Sequence, residues 1–205
     1  MPRHNPALRF AIRLVVIYVL LVMPWPGVGS GFSALYRSAI NSLAWVLGLG
    51  DHLHVSVPPD QHPRGDAELA TINPATGQRL RIEHGSRDWG YMPLAASLAL
   101  VLAVPAPWPR RLRAAVFLTV LTLLSVALRI AIAALYGLGS VGVINLGEAM
   151  RKGIGQVMLA FSATPVNSFV VPIMLWLLVL HWTYDWTQWN ASRDYEFDLT
   201  TQTKQ

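Results

Sequence analysis

The sequence predicts an all-α membrane protein with four transmembrane helices, two outer amphipathic helices and a small β-hairpin cap. Three observations carry this. Of 205 residues, 53% are hydrophobic and only 13% charged, against about 25% charged in an ordinary soluble domain. The mean hydropathy is +0.40, and the apolar residues gather into four runs. One polar stretch, between Asp51 and Trp89, alternates at period two instead, which is the mark of strands.

The first run extends from Phe10 to about Pro26, where Pro24-Trp25-Pro26-Gly27 stops it. Its Arg13 lies one turn in and can snorkel. The second is Met92–Ala106, closed by Pro105, Pro107 and Pro109; the third is Ala114–Tyr136 and the fourth Val166–Trp182. Crossing ~30 Å of hydrocarbon takes about 20 helical residues. The first, second and fourth runs fall slightly short, and aromatic or basic flanks extend them. Trp25, Trp45, Trp89, Trp108, Trp182, Trp186 and Trp189 all sit beside these runs, as interfacial indoles do.

Orientation follows from the arginines. Arg3, Arg9 and Arg13 flank the first run, and Arg110, Arg111 and Arg113 lie in "WPRRLRA" between the second and third. The positive-inside rule places both sets, and both termini, in the cytoplasm. The chain then divides into a cytoplasmic start and first span (1–26), an outer helix and cap (27–91), and the second and third spans with their basic bend (92–136). An outer helix (137–165), the fourth span (166–182) and a polar cytoplasmic tail (183–205) complete it. A cleaved signal peptide is the competing reading of the N-terminus, given its basic start, apolar core and the small residues of "GVGSGFSA".

Two outer stretches are amphipathic. In "SGFSALYRSAINSLAWVLGLG", Phe32, Tyr36, Ile40, Leu43 and Leu47 share one helical face, with Ser33, Arg37 and Asn41 opposite. In "NLGEAMRKGIGQVMLAFSA", Ile154, Val157, Met158 and Phe161 oppose Arg151, Lys152 and Gln156, with Asn145 as a cap and Glu148 in the first turn. Such helices lie in the interface plane or dock on the spans. In the cap, "LHVSV", "AELATI" and "QRLRIEH" alternate, and "NPATG" reads as a hairpin turn. About 40 residues cannot hold a core alone, so the cap leans on helices or on a partner. The tail reads as disordered.

Arg129 is the residue of most interest, set inside "LTLLSVALRIAIAALYG". From Arg113 it lies roughly 24 Å up the helix, and about 10 Å remain to Tyr136. The bland reading is that it snorkels to the outer interface. The alternative rests on Thr119, Thr122, Ser125 and Arg129, which form one polar stripe that should point into protein. Glu148 is then its counter-ion, fixing helix packing or completing an anion site.

Other chemistry is thin. The chain has no cysteine, which excludes disulfides, thiolate metal sites and a cysteine nucleophile. Asp51, His52, His54, His62 and His84 fall in the cap, where only a weak i, i+2 histidine pair is visible, so they read as surface groups and no metal is expected. No phosphate loop, HExxH or GxSxG occurs, and Gly153-Ile154-Gly155 reads as a close-packing spot. None of the four spans carries an acid, which weighs against proton-coupled transport. The pI is near 10, but the bases are sparse and do not form a nucleic-acid footprint.

The order of elements, with "GYMPLAASLALVLAVP", the basic bend "RRLR" and "VVPIMLWLLVL", resembles the small membrane proteins associated with bacterial exosortases. The likeness covers most of residues 8–182 and rests on Gly90, Pro93, the inner arginines, Pro172 and Trp176. "ALRIAI" is similar to the arginine-bearing helix of the exosortases themselves, cysteine transpeptidases that use Cys, Arg and His. This chain departs from them at the nucleophile. The resemblance therefore implies a non-enzymatic accessory protein of the bacterial inner membrane, without a cofactor. Its implied partners are membrane lipids and an exosortase-like integral membrane protein, and no nucleic acid. A small lipid-headgroup-binding protein or enzyme using Arg129, and a structural subunit of a larger membrane complex, are the alternatives.

Overall fold

A computed structural model describes residues 5–58, 66–162 and 166–183. The protein is mostly helical with a small three-stranded sheet. Helix α1 is Pro6–Val22, with Asn5 capping its start by accepting from the Ala7 N–H at 3.0 Å. Pro24 cannot continue its ladder, and the chain restarts as α2, Trp25–Val46, bent from α1 by 68°. The strands β1 (Leu53–Ser56), β2 (Ala67–Ile72) and β3 (Arg79–His84) follow, antiparallel in the order β1-β2-β3. The turn between β2 and β3 is the expected one: Asn73 accepts from the Ala75 N–H, and Gly77 takes the positive φ of 70°.

A π-helical turn, Arg87–Tyr91, runs directly into α3, Met92–Ala103. Helix α4 is Trp108–Ser140, α5 is Glu148–Ser162, and a second π-helical turn, Val166–Val170, leads into α6, Val171–Thr183. Helices α1, α3, α4 and α6 pack together as a bundle. Phe10 stacks on Trp176 while Tyr18 meets Phe169, so α1 and α6 run antiparallel. Val101, Ala114, Leu118 and Val179 close one end of this bundle. The other end is covered by α2, the sheet and α5, whose core joins Tyr36, Ile40, Val55, Leu69 and Trp89 to Val126, Ile130 and Ala133 of α4.

Several sequence expectations are revised. Among the described residues one helix, α4, is long and apolar enough to cross a membrane. The bent pair α1–α2 counts as a second only if it is one broken span, and Ser168–His181 is a shorter apolar helix. Arg110, Arg111 and Arg113 are no inter-helix bend; they form the first turns of α4, because Pro107 ends the connection and Pro109 is tolerated in a first turn. Helix α5 begins at Glu148, so Asn145 lies outside it and caps nothing. Gly155 is the close-packing glycine of its pair, with its missing Cβ 3.1 Å from Tyr136, whereas Gly153 faces open space. The tail beyond Thr183 lies outside the described residues.

The largest revision concerns α2. Its buried face is Gly29, Ser33, Tyr36, Ile40 and Ala44, while Leu35, Leu43, Val46 and Leu47 are exposed. The polar face that sequence turns to solvent is instead turned onto the sheet. Asn41 accepts from the Val55 N–H at 2.7 Å and donates to the Val55 carbonyl at 2.9 Å, closing the open edge of β1 as a neighbouring strand would. Arg37 donates to the Asp66 carbonyl at 2.8 Å.

Candidate functional site

The inward face of α4 reads Ala114, Leu118, Thr122, Val126, Arg129, Ala133 and Gly137, one residue per turn. The stripe expected from sequence lies along this face, and most of it serves the protein's own packing. Thr122 is wholly buried and donates to the Leu118 carbonyl at 2.7 Å, so Ser97 of α3, 2.8 Å away, donates to Thr122. Ser125 donates to the Thr122 carbonyl at 2.7 Å, and Thr119 is half-buried.

Arg129 does not snorkel. It is 3% exposed, with its guanidinium carbon 5.5 Å from the centre of the Trp89 ring. The cap roofs this end of α4 before the side chain can reach water. Glu148, the counter-ion expected from sequence, instead pairs with Lys152 at 2.8 Å on the exposed side of α5. From Arg129 an aromatic ladder climbs into the cap. Trp89 lies 4.6 Å from the His84 ring, His84 lies 5.7 Å from Tyr36, and Tyr36 stacks on Phe32.

Four polar atoms here are buried without a hydrogen-bond partner: Arg129 Nε and Nη1, Tyr36 Oη and His84 Nε2. Native interiors carry few such atoms, and each calls for an explanation. A buried charge with no partner costs several kcal/mol, of which a desolvated indole face returns about 2 kcal/mol. This buried cluster is thus electrostatically incomplete.

Its roof is pinned by Asp66. That carboxylate accepts from Ser86 N–H and Ser86 Oγ, each at 2.6 Å, and from Ser33 Oγ. Burial alone would raise the Asp66 carboxyl, but these donors outweigh it and hold the group below its ordinary value. His84 is pushed down from 6.5 to about 4, mainly by burial, with the Asp66 charge working weakly the other way. It stays neutral at pH 7, and its Nδ1 lies 3.3 Å from the Ile82 carbonyl.

Sequence reasoning grouped His84 with surface histidines, and the structure corrects this: it is 5% exposed. The signal was present in "RLRIEH". Arg79, Arg81 and Glu83 alternate outward, which puts His84 on the inner face with Leu80 and Ile82. Of the other cap histidines, His54 is exposed, His52 is half-buried beside the Ile72 carbonyl, and His62 lies outside the described residues. Among the described residues no three His, Asp or Glu side chains converge as metal ligands would. Trp89, expected as an interfacial anchor, is buried against the Arg129 guanidinium instead.

Comparison of the chain with protein-family models, with curated proteins and with solved structures found no match.

Proposed function

We propose that this protein is a non-enzymatic accessory protein of a bacterial inner-membrane protein-sorting or envelope-export system of the exosortase type. In this reading it holds a membrane enzyme, or that enzyme's exported substrate, against a rigid outer cap. The supporting observation is how polarity is distributed over the bundle. The polar stripe of α4 faces inward, while Val116, Phe117, Val120, Leu123, Leu124 and Leu128 stand exposed along its outer side. Helix α1 likewise exposes Leu8, Ile12, Val15, Val16, Val19 and Leu20. Apolar surface on this scale suits lipid and partner helices rather than water.

Four membrane segments fit this picture. The π-helical turn and α3 together run from Arg87 to Ala103, roughly 25 Å, and the second π-helical turn with α6 runs from Val166 to Thr183, roughly 27 Å. Both lengths are near the hydrocarbon thickness. The arginines at the N-terminal ends of α1 (Arg9, Arg13) and α4 (Arg110, Arg111, Arg113) then mark the cytoplasmic side, and the cap lies outside. Because the α4 stripe is used internally, a partner meets the cap and the exposed face of α2 rather than that stripe.

Affinity purification of the full chain in mild detergent tests this reading. Copurification of an integral membrane sorting enzyme is the expected result. Recovery of the protein alone and monodisperse refutes it, as does a cytosolic signal from a reporter fused near residue 70.

A further inference from the structure

The accessory role leaves the buried cluster at Arg129 unexplained, and its chemistry stands independently of that role. A guanidinium keeps its charge in proteins, so burial has to be answered by an anion. Four of the described acids are engaged or turned away. Glu68 pairs with Arg81 at 3.3 Å, Glu148 pairs with Lys152, and Asp66 is saturated by Ser33 and Ser86. Glu83 is on the exposed face of β3. No ion pair among the described residues involves Arg129.

The groups around the guanidinium are donors in want of an acceptor. Arg129 Nε–H and Nη1–H and the Tyr36 hydroxyl are all buried and unbonded, and the indole of Trp89 lies under the cation. Arg129 and Tyr36 thus offer donors to one negative charge, while neutral His84, with its Nδ1 at the Ile82 carbonyl, presents Nε2 as an acceptor outside that set. Size narrows the class. Arg129, His84 and Tyr36 are 3%, 5% and 8% exposed, which leaves no mouth for a lipid headgroup or a peptide. We infer that the buried cluster of Arg129 and Tyr36 against Trp89 is a binding site for one small monovalent anion, of halide or formate size. The anion neutralises Arg129 and ties α4 to the cap.

The test uses the purified full chain in detergent at constant ionic strength, exchanging a bulky anion (gluconate) for chloride, bromide or formate. Ligand at a hundredfold its dissociation constant should raise Tm by roughly 5 to 10 °C, saturably. Arg129→Met should abolish that response. Bromide should also quench one tryptophan component over the same concentration range, and Trp89→Phe should remove that component. This second readout holds even if Arg129→Met does not fold. A Tm indifferent to anion identity overturns the inference, as does an equal response in a folded Arg129→Met. A rise produced only by added phosphatidylglycerol, with no effect of free small anions, overturns it as well, by showing that the site takes a lipid phosphate.

Discussion

Gly137 is where the cap touches the long helix most closely, and one substitution there exposes how the two are joined. A Cβ on Gly137 would fall 2.6 Å from Thr71 Cγ2 and 2.7 Å from Thr71 Oγ1. Thr71 cannot retreat: it is wholly buried on the central strand, paired with Leu53 on one side and Leu80 on the other. Gly137→Ala gains about 1 kcal/mol of helix propensity and incurs about 1–3 kcal/mol of overpacking. The net expectation is a loss of about 1 kcal/mol, a fall in Tm of about 3 °C for a chain of this length. In a Thr71→Ala background only the contact with the residue-71 Cβ, 3.2 Å away, remains. The helix gain should then dominate, and Gly137→Ala should become neutral or stabilising. Thermal unfolding in detergent of all four corners of the cycle reads the coupling, expected at about 1–2 kcal/mol. If Gly137→Ala shifts Tm by the same amount in both backgrounds, the cap is not seated on α4 as described.

Three further outcomes follow from the polar contacts. Asp66→Ala strips the acceptor from the Ser86 N–H and from two serine hydroxyls, and should cost about 2–4 kcal/mol, read as a lower Tm and faster proteolysis between β1 and β2. Stability should also fall on acidification. The unfolded His84 binds a proton near 6.5 and the folded one only near 4, so its contribution is full above pH 6.5 and is lost between 6.5 and 4. The loss is on the order of 3 kcal/mol, and a His84→Gln variant should show a flatter Tm profile over that window. Asp66, held below its ordinary value, adds a loss at still lower pH, which Asp66→Asn should remove. Finally, Thr122→Val leaves the buried Ser97 hydroxyl without its acceptor and should cost about 1–3 kcal/mol, whereas adding Ser97→Ala should recover much of it; equal stability of single and double variants would refute the Ser97–Thr122 bond.

What could be read from sequence alone was what depends on periodicity and local chemistry. The three strands follow from alternation in "LHVSV", "AELATI" and "QRLRIEH", and the hairpin from "NPATG", whose asparagine and glycine perform the turn. The helices follow from apolar runs and their proline stops, and the inward stripe of α4 from residues three and four apart. Tertiary structure decided which face meets what, because a periodic pattern marks a face without naming its neighbour. Ser33, Arg37 and Asn41 look solvent-facing in isolation, yet a sheet with an open edge and a loop carboxylate offers them better partners than water. Arg129 has the reach to snorkel on a bare helix. A roof contributed by Tyr36, His84 and Trp89, each distant in sequence, closes that path and leaves the charge buried.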